Sequence, residues 1–444
     1  MHHLYNIIIL LNNIRYFMNY VKSINIDGFW GYKNINVDFF HNTNFIIGEN
    51  GTGKTTLINF LRASLDVDYM FLARSEFNTI TIELYDENHQ RTVTLKVKKI
   101  KKNDAINPFS ELEYSIKDHK IGEEVVFPLM PHKRDLDGYR QFRKHSISEY
   151  VNRYINISWL PVNRKISNIE LEYKKNKSQS DIDSRLDDVI FRISSYFNLL
   201  DKKSSSILDK YQESVFLSLL SDNSNIESIN NDFDTNKKND IPYDQRENEK
   251  YIITSIFQQF NLTPDLYKER VDEHFELLKL ATKKAASKKS LSYNEIMSIV
   301  LNTRLKNLIK QWDVICGERE RIIEPKILFM KILSELFIGK SISLDTTNNL
   351  IAYCYGSNKQ LSIECLSSGE KQLLILLGEA VLQKGTPSTL IADEPEISLH
   401  INWQEKLVEN ILKLNNKSQI IFATHSPDIV SHFNNHIIKI GENN

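Results

Sequence analysis

Gly48-Glu49-Asn50-Gly51-Thr52-Gly53-Lys54-Thr55 decides how this chain is read. The stretch fits G-x-x-x-x-G-K-[ST], a loop that cradles phosphate. Asn44 to Ile47 (NFII) before it reads as a short buried strand, and Thr56 to Leu65 (TLINFLRASL) after it as a helix. Strand, glycine loop and helix in that order are the context the motif requires. Glycines let the backbone turn sharply and bring N–H groups onto phosphate oxygens, where a helix N-terminus adds its own positive potential. Lys54 is then expected to reach the β/γ-phosphates, the Thr55 hydroxyl to ligate Mg²⁺, and Thr56 to line the site.

Working outward, the second half of such a site lies far downstream. Leu366-Ser367-Ser368-Gly369-Glu370-Lys371-Gln372 opens an apolar helix (LLILLGEAVL), and small residues at a helix N-terminus suit an anion. Thr389 to Ala392 (TLIA) reads as a buried strand that delivers Asp393-Glu394-Pro395. Asp393 is placed to hold Mg²⁺ directly or through water, and Glu394 to act as general base on the attacking water. Ile420 to Ala423 (IIFA) is a further strand, delivering Thr424-His425-Ser426-Pro427, where His425 can hydrogen-bond a γ-phosphate. Alone, Asp393-Glu394 is an acidic pair at a strand end and His425 a structural histidine. Their order after the glycine loop gives them weight.

That order resembles the ABC-type ATPase superfamily, in its SMC/RecF/OLD-like branch, over roughly residues 18–163 and 341–442. The resemblance implies that Gly48 to Thr55 is Walker A and that Ser367, Ser368, Gly369 and Glu370 form the signature loop. Asp393 and Glu394 become Walker B with its catalytic glutamate, Ser398 to His400 the D-loop, and His425 the switch histidine. The signature departs from the family pattern, since Ser368 replaces its first glycine and Glu370 its glutamine. No residue is carried over for the Q-loop. The implied fold is α/β, a P-loop ATPase head with a mixed sheet and an α-helical insertion between Walker A and the signature. The implied assembly is a homodimer sandwiching two ATP, each signature loop meeting the γ-phosphate held by the partner. ATP and Mg²⁺ are the implied cofactors.

Length and composition bound the alternatives. A chain of 444 residues allows two to three domains, and a formal net charge of −1 gives no global field toward nucleic acid. Cys316, Cys354 and Cys365 form no CxxC pair, which points to a reducing, cytoplasmic setting without a disulfide frame or zinc hook. The apolar run Leu4 to Leu11 is too short to span a bilayer, so no membrane partner is expected. Residues 1–17 read as an N-terminal extension, 18–164 as the first ATPase lobe, 165–340 as the helical insertion and 341–444 as the second lobe. Within the insertion, 221–250 reads as a disordered loop rich in Asn, Asp, Ser and Lys.

Helical rows are expected at Leu186, Ile190, Ile193, Phe197 and Leu200, at Tyr267, Val271, Phe275 and Leu278, and at Leu301, Leu305, Leu308 and Trp312. Thr263-Pro264 marks a helix start. Phe29, Trp30 and Tyr32 could stack on adenine or serve as core and turn aromatics. Asn163 and Arg164, after a strand at 155–160, could approach the γ-phosphate or belong to an ordinary loop. Lys96, Lys98, Lys99, Lys101 and Lys102 could touch a phosphate backbone, although a lysine-protected sheet edge is the preferred reading. Lys283, Lys284, Lys288 and Lys289 read as a solvated helix end.

Only 19 residues follow His425, leaving no room there for a Toprim nuclease. The chain is therefore similar to stand-alone ATPases of bacterial anti-phage modules, the PtuA family of Septu and retron systems. That likeness implies a separate HNH-type nuclease or other effector as partner, and contact with a retron RNA–DNA assembly. The rivals are a RecF-like repair ATPase that binds DNA itself and a scaffold that uses ATP only to dimerise.

Overall fold

The computed structural model describes residues 20–86, 89–100, 111–129, 146–160, 181–218, 243–260, 262–354 and 360–441. The expected extension at 1–17, Lys101, Lys102, Asn163, Arg164 and most of the expected loop, 221–242, lie outside the described residues. The chain forms two compact units, Met1–Phe197 with Pro325–Asn444, and Asn198–Glu324.

The first unit begins with β1 (Tyr20–Phe29), β2 (Lys33–Asp38) and β3 (Thr43–Ile47), followed by the glycine loop and α1 (Lys54–Leu65). A short α2 (Tyr69–Arg74) leads to β4 (Thr79–Asp86), β5 (Arg91–Ile100), β6 (Glu111–Asp118), β7 (Glu124–Leu129) and β8 (Ile157–Leu160). The helices α3 (Asp181–Ser218), α4 (Tyr243–Gln259), α5 (Pro264–Ala286) and α6 (Tyr293–Leu336) come next. The chain then returns through β9 (Lys340–Leu344), β10 (Leu350–Cys354) and β11 (Gln360–Leu361) to α7 (Ser368–Leu382). It closes with β12 (Ser388–Asp393), α8 (Ile401–Leu414), β13 (Ser418–Ala423) and β14 (Ile437–Lys439).

A parallel sheet ordered β14-β3-β13-β12-β8 carries the chemistry. Every residue of β12 (STLIAD) and of β13 (SQIIFA) is buried. Strands covered on both faces read as continuous apolar runs, which is why NFII, TLIA and IIFA stand out in the sequence. Each such Ile, Leu or Phe contributes roughly 1.5–3 kcal/mol by leaving water. The second sheet is antiparallel, ordered β2-β1-β4-β5-β6-β7. Its strands β4, β5 and β6 alternate, with Ile80, Ile82, Leu84, Val93, Leu95, Val97, Leu112, Tyr114 and Ile116 facing one shared core. Gln419 ties the two sheets together: its amide donates to Val21 O (2.8 Å) and Phe40 O (3.0 Å), and its Oε1 accepts from Val21 N (2.8 Å). An α/β head with a mixed set of sheets and a helical insertion is therefore the fold, as the motif order implies.

Differences from expectation have local causes. The helix after the loop starts at Lys54, so Lys54 and Thr55 occupy its first turn. The expected loop at 221–250 gives way to helix at Tyr243, because Gln245, Arg246, Glu247 and Glu249 are good helix formers and Ile253 and Ile256 behind them are buried. Pro325 does not end α6, which continues to Leu336. In the second unit α4, α5 and α6 bury Ile253, Tyr267, Val271 and Ile309 in one cluster, and α3, α4 and α6 bury Tyr211, Ile256 and Trp312 in another. Leu301 is the exception in its expected row: it is 44% exposed, and Asn302 and Thr303 turn inward instead.

Candidate nucleotide site

Three strand ends of the parallel sheet converge here: β3 before the glycine loop, β12 before Asp393-Glu394, and β13 before His425. The loop needs its glycines. Gly53 has φ of +101°, and a Cβ there would meet the Phe29 ring at 3.0 Å and the Trp30 ring at 3.2 Å. A Cβ on Gly48 would lie 2.5 Å from the Ile440 carbonyl oxygen. The backbone is thus pressed from both sides into one shape.

Lys54 is buried, and its Nζ donates to the carbonyls of Gly48 (2.9 Å) and Glu49 (3.0 Å). Thr52 braces the same turn by donating from Oγ1 to Glu49 O at 2.9 Å. Thr55 is exposed and donates from Oγ1 to Asp393 Oδ1 at 3.2 Å, joining α1 to the end of β12 across 338 positions of sequence. Burial pushes the Asp393 carboxyl up to about 6; the Thr55 bond and Lys54 oppose the rise, while the nearby Glu394 and Glu396 charges reinforce it.

Glu394 sits at φ +44° with its N–H bonded to Ala423 O at 2.7 Å, so the chain turns out of β12 over the end of β13. That turn brings Glu394 Oε1 within 3.7 Å of His425 Nε2, both side chains partly open to solvent. The His425 loop is held by a residue that sequence reasoning left without a role. Glu396 Oε1 accepts from Thr424 Oγ1 (2.7 Å), His425 N (2.8 Å) and Ser426 N (3.1 Å). Gln404 of α8 adds a bond to Ser426 Oγ at 2.6 Å. The only available signal was a third acidic residue two positions beyond Glu394.

The signature loop lies at the start of α7. Ser367 caps that helix in a reciprocal box, with Glu370 Oε2 accepting from Ser367 N at 2.7 Å and Lys340 Nζ bonding the same carboxylate at 2.7 Å. Burial works against the Glu370 charge, but Lys340 and Ser367 hold its carboxyl below the usual range. Glutamate in place of the family's glutamine therefore completes a cap and an ion pair. A Cβ on Gly369 would lie 2.2 Å from Ser398 O, so this glycine is required where α7 meets the Ser398 to His400 segment. Among the described residues, the side-chain hydrogen bonds of Ser367 and Glu370 run to each other and to Lys340.

Of the three candidate aromatics, Phe29 is buried in the core, Tyr32 is 79% exposed, and Trp30 stands beside Gly53 with its ring 4.8 Å from that of Phe29. A cleft of about 630 Å³ borders the loop on its other flank, lined by Gly48, Glu49, Thr52, His425, Val430 and Ile440 among others. Among the described residues no group of three or more His, Cys, Asp and Glu side chains could hold a metal by itself. Thr55 Oγ1 and Asp393 Oδ1 are two neighbouring oxygens that could hold Mg²⁺ where phosphate and water complete its shell.

A glycine loop feeding a helix, with an Asp-Glu pair and a histidine on adjacent parallel strand ends, is the arrangement of a P-loop nucleotide-binding fold. The chain belongs to the AAA ATPase domain family, whose profile matches residues 20–430. Among curated proteins it is similar to the DNA repair protein RecN of Rickettsia conorii (strain ATCC VR-613 / Malish 7), 21% identical over 225 residues. That match covers 48% of this chain and 40% of the relative, well under half its length. Among solved structures, the Smc head with an extended coiled coil bound to the C-terminal domain of ScpA, from Pyrococcus furiosus, aligns at 16% identity and TM-score 0.44. That alignment covers 95% of this chain and 93% of that one. The Smc head with a coiled coil and joint from Pyrococcus yayanosii aligns at 14% identity and TM-score 0.41, covering 95% and 94%. Among the described residues no helix is long and apolar enough to cross a membrane.

Proposed function

We propose that this chain binds Mg-ATP at Gly48–Thr56, hydrolyses it with Glu394 and His425, and uses the cycle as a dimerisation switch. The observation that carries the reading is the Thr55–Asp393 contact, which puts a hydroxyl and a carboxylate oxygen 3.2 Å apart at the mouth of the glycine loop. These are hard oxygen donors of the kind Mg²⁺ takes, so the residues fit the ion. Bound there, the metal would neutralise charge on the β/γ-phosphate oxygens.

The protein's own groups do the rest. Lys54 exchanges its two carbonyl acceptors for phosphate oxygens. The loop N–H groups and the start of α1 stabilise the same charge. Glu394 takes a proton from the attacking water, and His425 beside it donates to the γ-phosphate. Glu396 keeps the His425 loop in register with Glu394. Ser367 to Glu370, engaged with their own helix rather than with the loop of the same chain, serve the nucleotide of a second copy. Such a switch acts through γ-phosphate contacts that exist in one state and not the other.

The test is turnover with affinity measured alongside. Glu394→Gln should retain ATP binding by calorimetry while turnover falls about a hundredfold or more. Lys54→Ala should lose binding. Unchanged ATP affinity in Lys54→Ala, or wild-type turnover in Glu394→Gln, would remove the assignment.

The partner reading is finer. We propose that the switch restrains or licenses a separate nuclease effector in an anti-phage module, supported by the likeness of the motif arrangement to stand-alone defence ATPases. The second reading is a repair ATPase that binds DNA itself; in its support stands a relative named as a DNA repair protein. Against direct binding through the β5 lysines, Lys98 faces Glu113 across the sheet and Lys99 is drawn in, its Nζ bonding Ser75 O and lying over Phe77. Co-purification from the native operon followed by mass spectrometry separates them: a nuclease recovered in stoichiometric amount supports the first, and salt-sensitive DNA binding by the chain alone the second.

A further inference from the structure

The helix that carries the signature loop, α7, is held by the first turns of α3, through side chains that take no part in the nucleotide chemistry. Both stretches belong to the first unit, since Asp183 to Ile193 precede its boundary at Phe197. Three contacts join them. Lys371, directly after Glu370, donates from Nζ to Asp183 Oδ1 at 2.6 Å, across 188 positions of sequence. Further along α7, a Cβ on Gly378 would lie 2.5 Å from Val189 Cγ1 and 3.0 Å from Ile193 Cδ1. Beside it, Glu379 accepts from Arg192 Nη1 at 3.1 Å and Nη2 at 3.3 Å, with Arg185 Nη2 at 3.8 Å.

The three contacts differ in role. Glycine inside a helix costs conformational entropy, and here it lets α3 lie directly against the α7 backbone. The Glu379 carboxylate is 7% exposed and is taken by the planar fork of Arg192. Arg185 also donates to Trp159 O, which ties the same part of α3 to β8. These contacts seat the middle of α7. The Lys371–Asp183 pair lies in the turn that carries the signature loop itself.

Lys371 is poorly placed without a partner. The start of a helix favours an anion over a cation, and the Lys371 side chain is only 12% exposed. Glu370 beside it is already engaged with Lys340 and Ser367. Asp183, with its side chain 22% exposed, is the carboxylate that meets the lysine. A cation that loses its partner in so little water turns outward, and the turn holding Ser367 to Glu370 moves with it.

We propose that Asp183 is a positioning residue for the signature loop. Through Lys371 it holds the first turn of α7, and with it Ser367 to Glu370, in the orientation that meets the nucleotide of a second copy. The consequence for turnover rests on the dimer reading above; the hold on the loop does not.

The test uses the full chain with Asp183→Asn, Lys371→Gln, and the reversal Asp183→Lys with Lys371→Asp. Asp188→Asn is the control, because it breaks a solvent-exposed pair with Arg192 on the same helix. In the nucleotide-free protein the amides of Glu370 to Leu373 should exchange hydrogen at least about tenfold faster in both single variants, while those of Leu376 to Leu382 keep wild-type rates. With Mg-ATP, kcat should fall about tenfold, with KM and calorimetric ATP affinity unchanged. The reversal should return exchange and kcat to within about threefold of wild type, and Asp188→Asn should change neither. A pair that only stabilised the fold would lower the melting temperature without this split between kcat and KM. Wild-type exchange at Glu370 to Leu373, faster exchange with wild-type kcat, or no rescue by the reversal would overturn the proposal. Failure of the dimer reading shows elsewhere: Glu394→Gln then stays monomeric with Mg-ATP, and the nucleotide-free exchange rates judge Asp183 on their own.

Discussion

Among the described carboxyls, Asp393 is the one whose ionisation the fold disturbs most. Its carboxyl is 7% exposed and raised from the ordinary aspartate range to about 6, chiefly by burial. A carboxyl whose folded value exceeds its unfolded one binds more protons when folded, so its stabilising contribution is full below about pH 4 and lost as pH rises through about 6. Without Mg-ATP the chain should therefore carry a penalty at neutral pH on the order of 3 kcal/mol. Asp393→Asn should raise the melting temperature of the nucleotide-free protein at pH 7.5 and leave it unchanged near pH 4, while abolishing Mg²⁺-dependent ATP binding. A melting temperature lowered at pH 7.5 would contradict this. Glu396 makes a separate case. Glu396→Ala leaves Thr424, His425 and Ser426 without their shared acceptor and should lower kcat about tenfold with KM little changed. Glu396→Gln keeps an acceptor oxygen and should restore most of the rate. Equal loss in both would show that charge, rather than placement of His425, is what Glu396 supplies.

At the scale of elements, what the sequence discloses follows from periodicity and fixed spacing. Strands β3, β12 and β13 are buried on both faces, so their apolar runs announce them, and the motifs at their ends follow. The antiparallel sheet is legible where one face is buried, as at Thr79–Asp86 and Arg91–Ile100, and β7 is missed because Val126 is half open and Pro128 interrupts its pattern. Glu396 is missed for a different reason: its role lies in three hydrogen bonds to a loop 28 to 30 positions away, which no local pattern reports. Glu370 shows the converse, a departure from the family pattern that becomes intelligible only with its partner in place. Glu370→Ala removes half of the α7 capping box and the Lys340 pair, and should cost about 1–2 kcal/mol of stability by chemical denaturation. A cost near zero would mean the box is not formed in solution.

At the scale of the whole molecule, the ATP half-site and the signature loop are distinct surfaces of one chain. Lys54, Thr55, Asp393, Glu394 and His425 gather at one set of strand ends, while Ser367 to Glu370 turn to Lys340 and the Ser398 segment. On the function proposed above, a second copy supplies the signature loop to each nucleotide, and nucleotide state then sets assembly. The most direct measurement is the mass of Glu394→Gln by sedimentation velocity, with and without Mg-ATP. The account predicts monomer without nucleotide, dimer with Mg-ATP, and loss of that dimer when Ser367→Arg is added with ATP affinity unchanged. A Glu394→Gln chain that binds ATP tightly and stays monomeric at every protein concentration would contradict it.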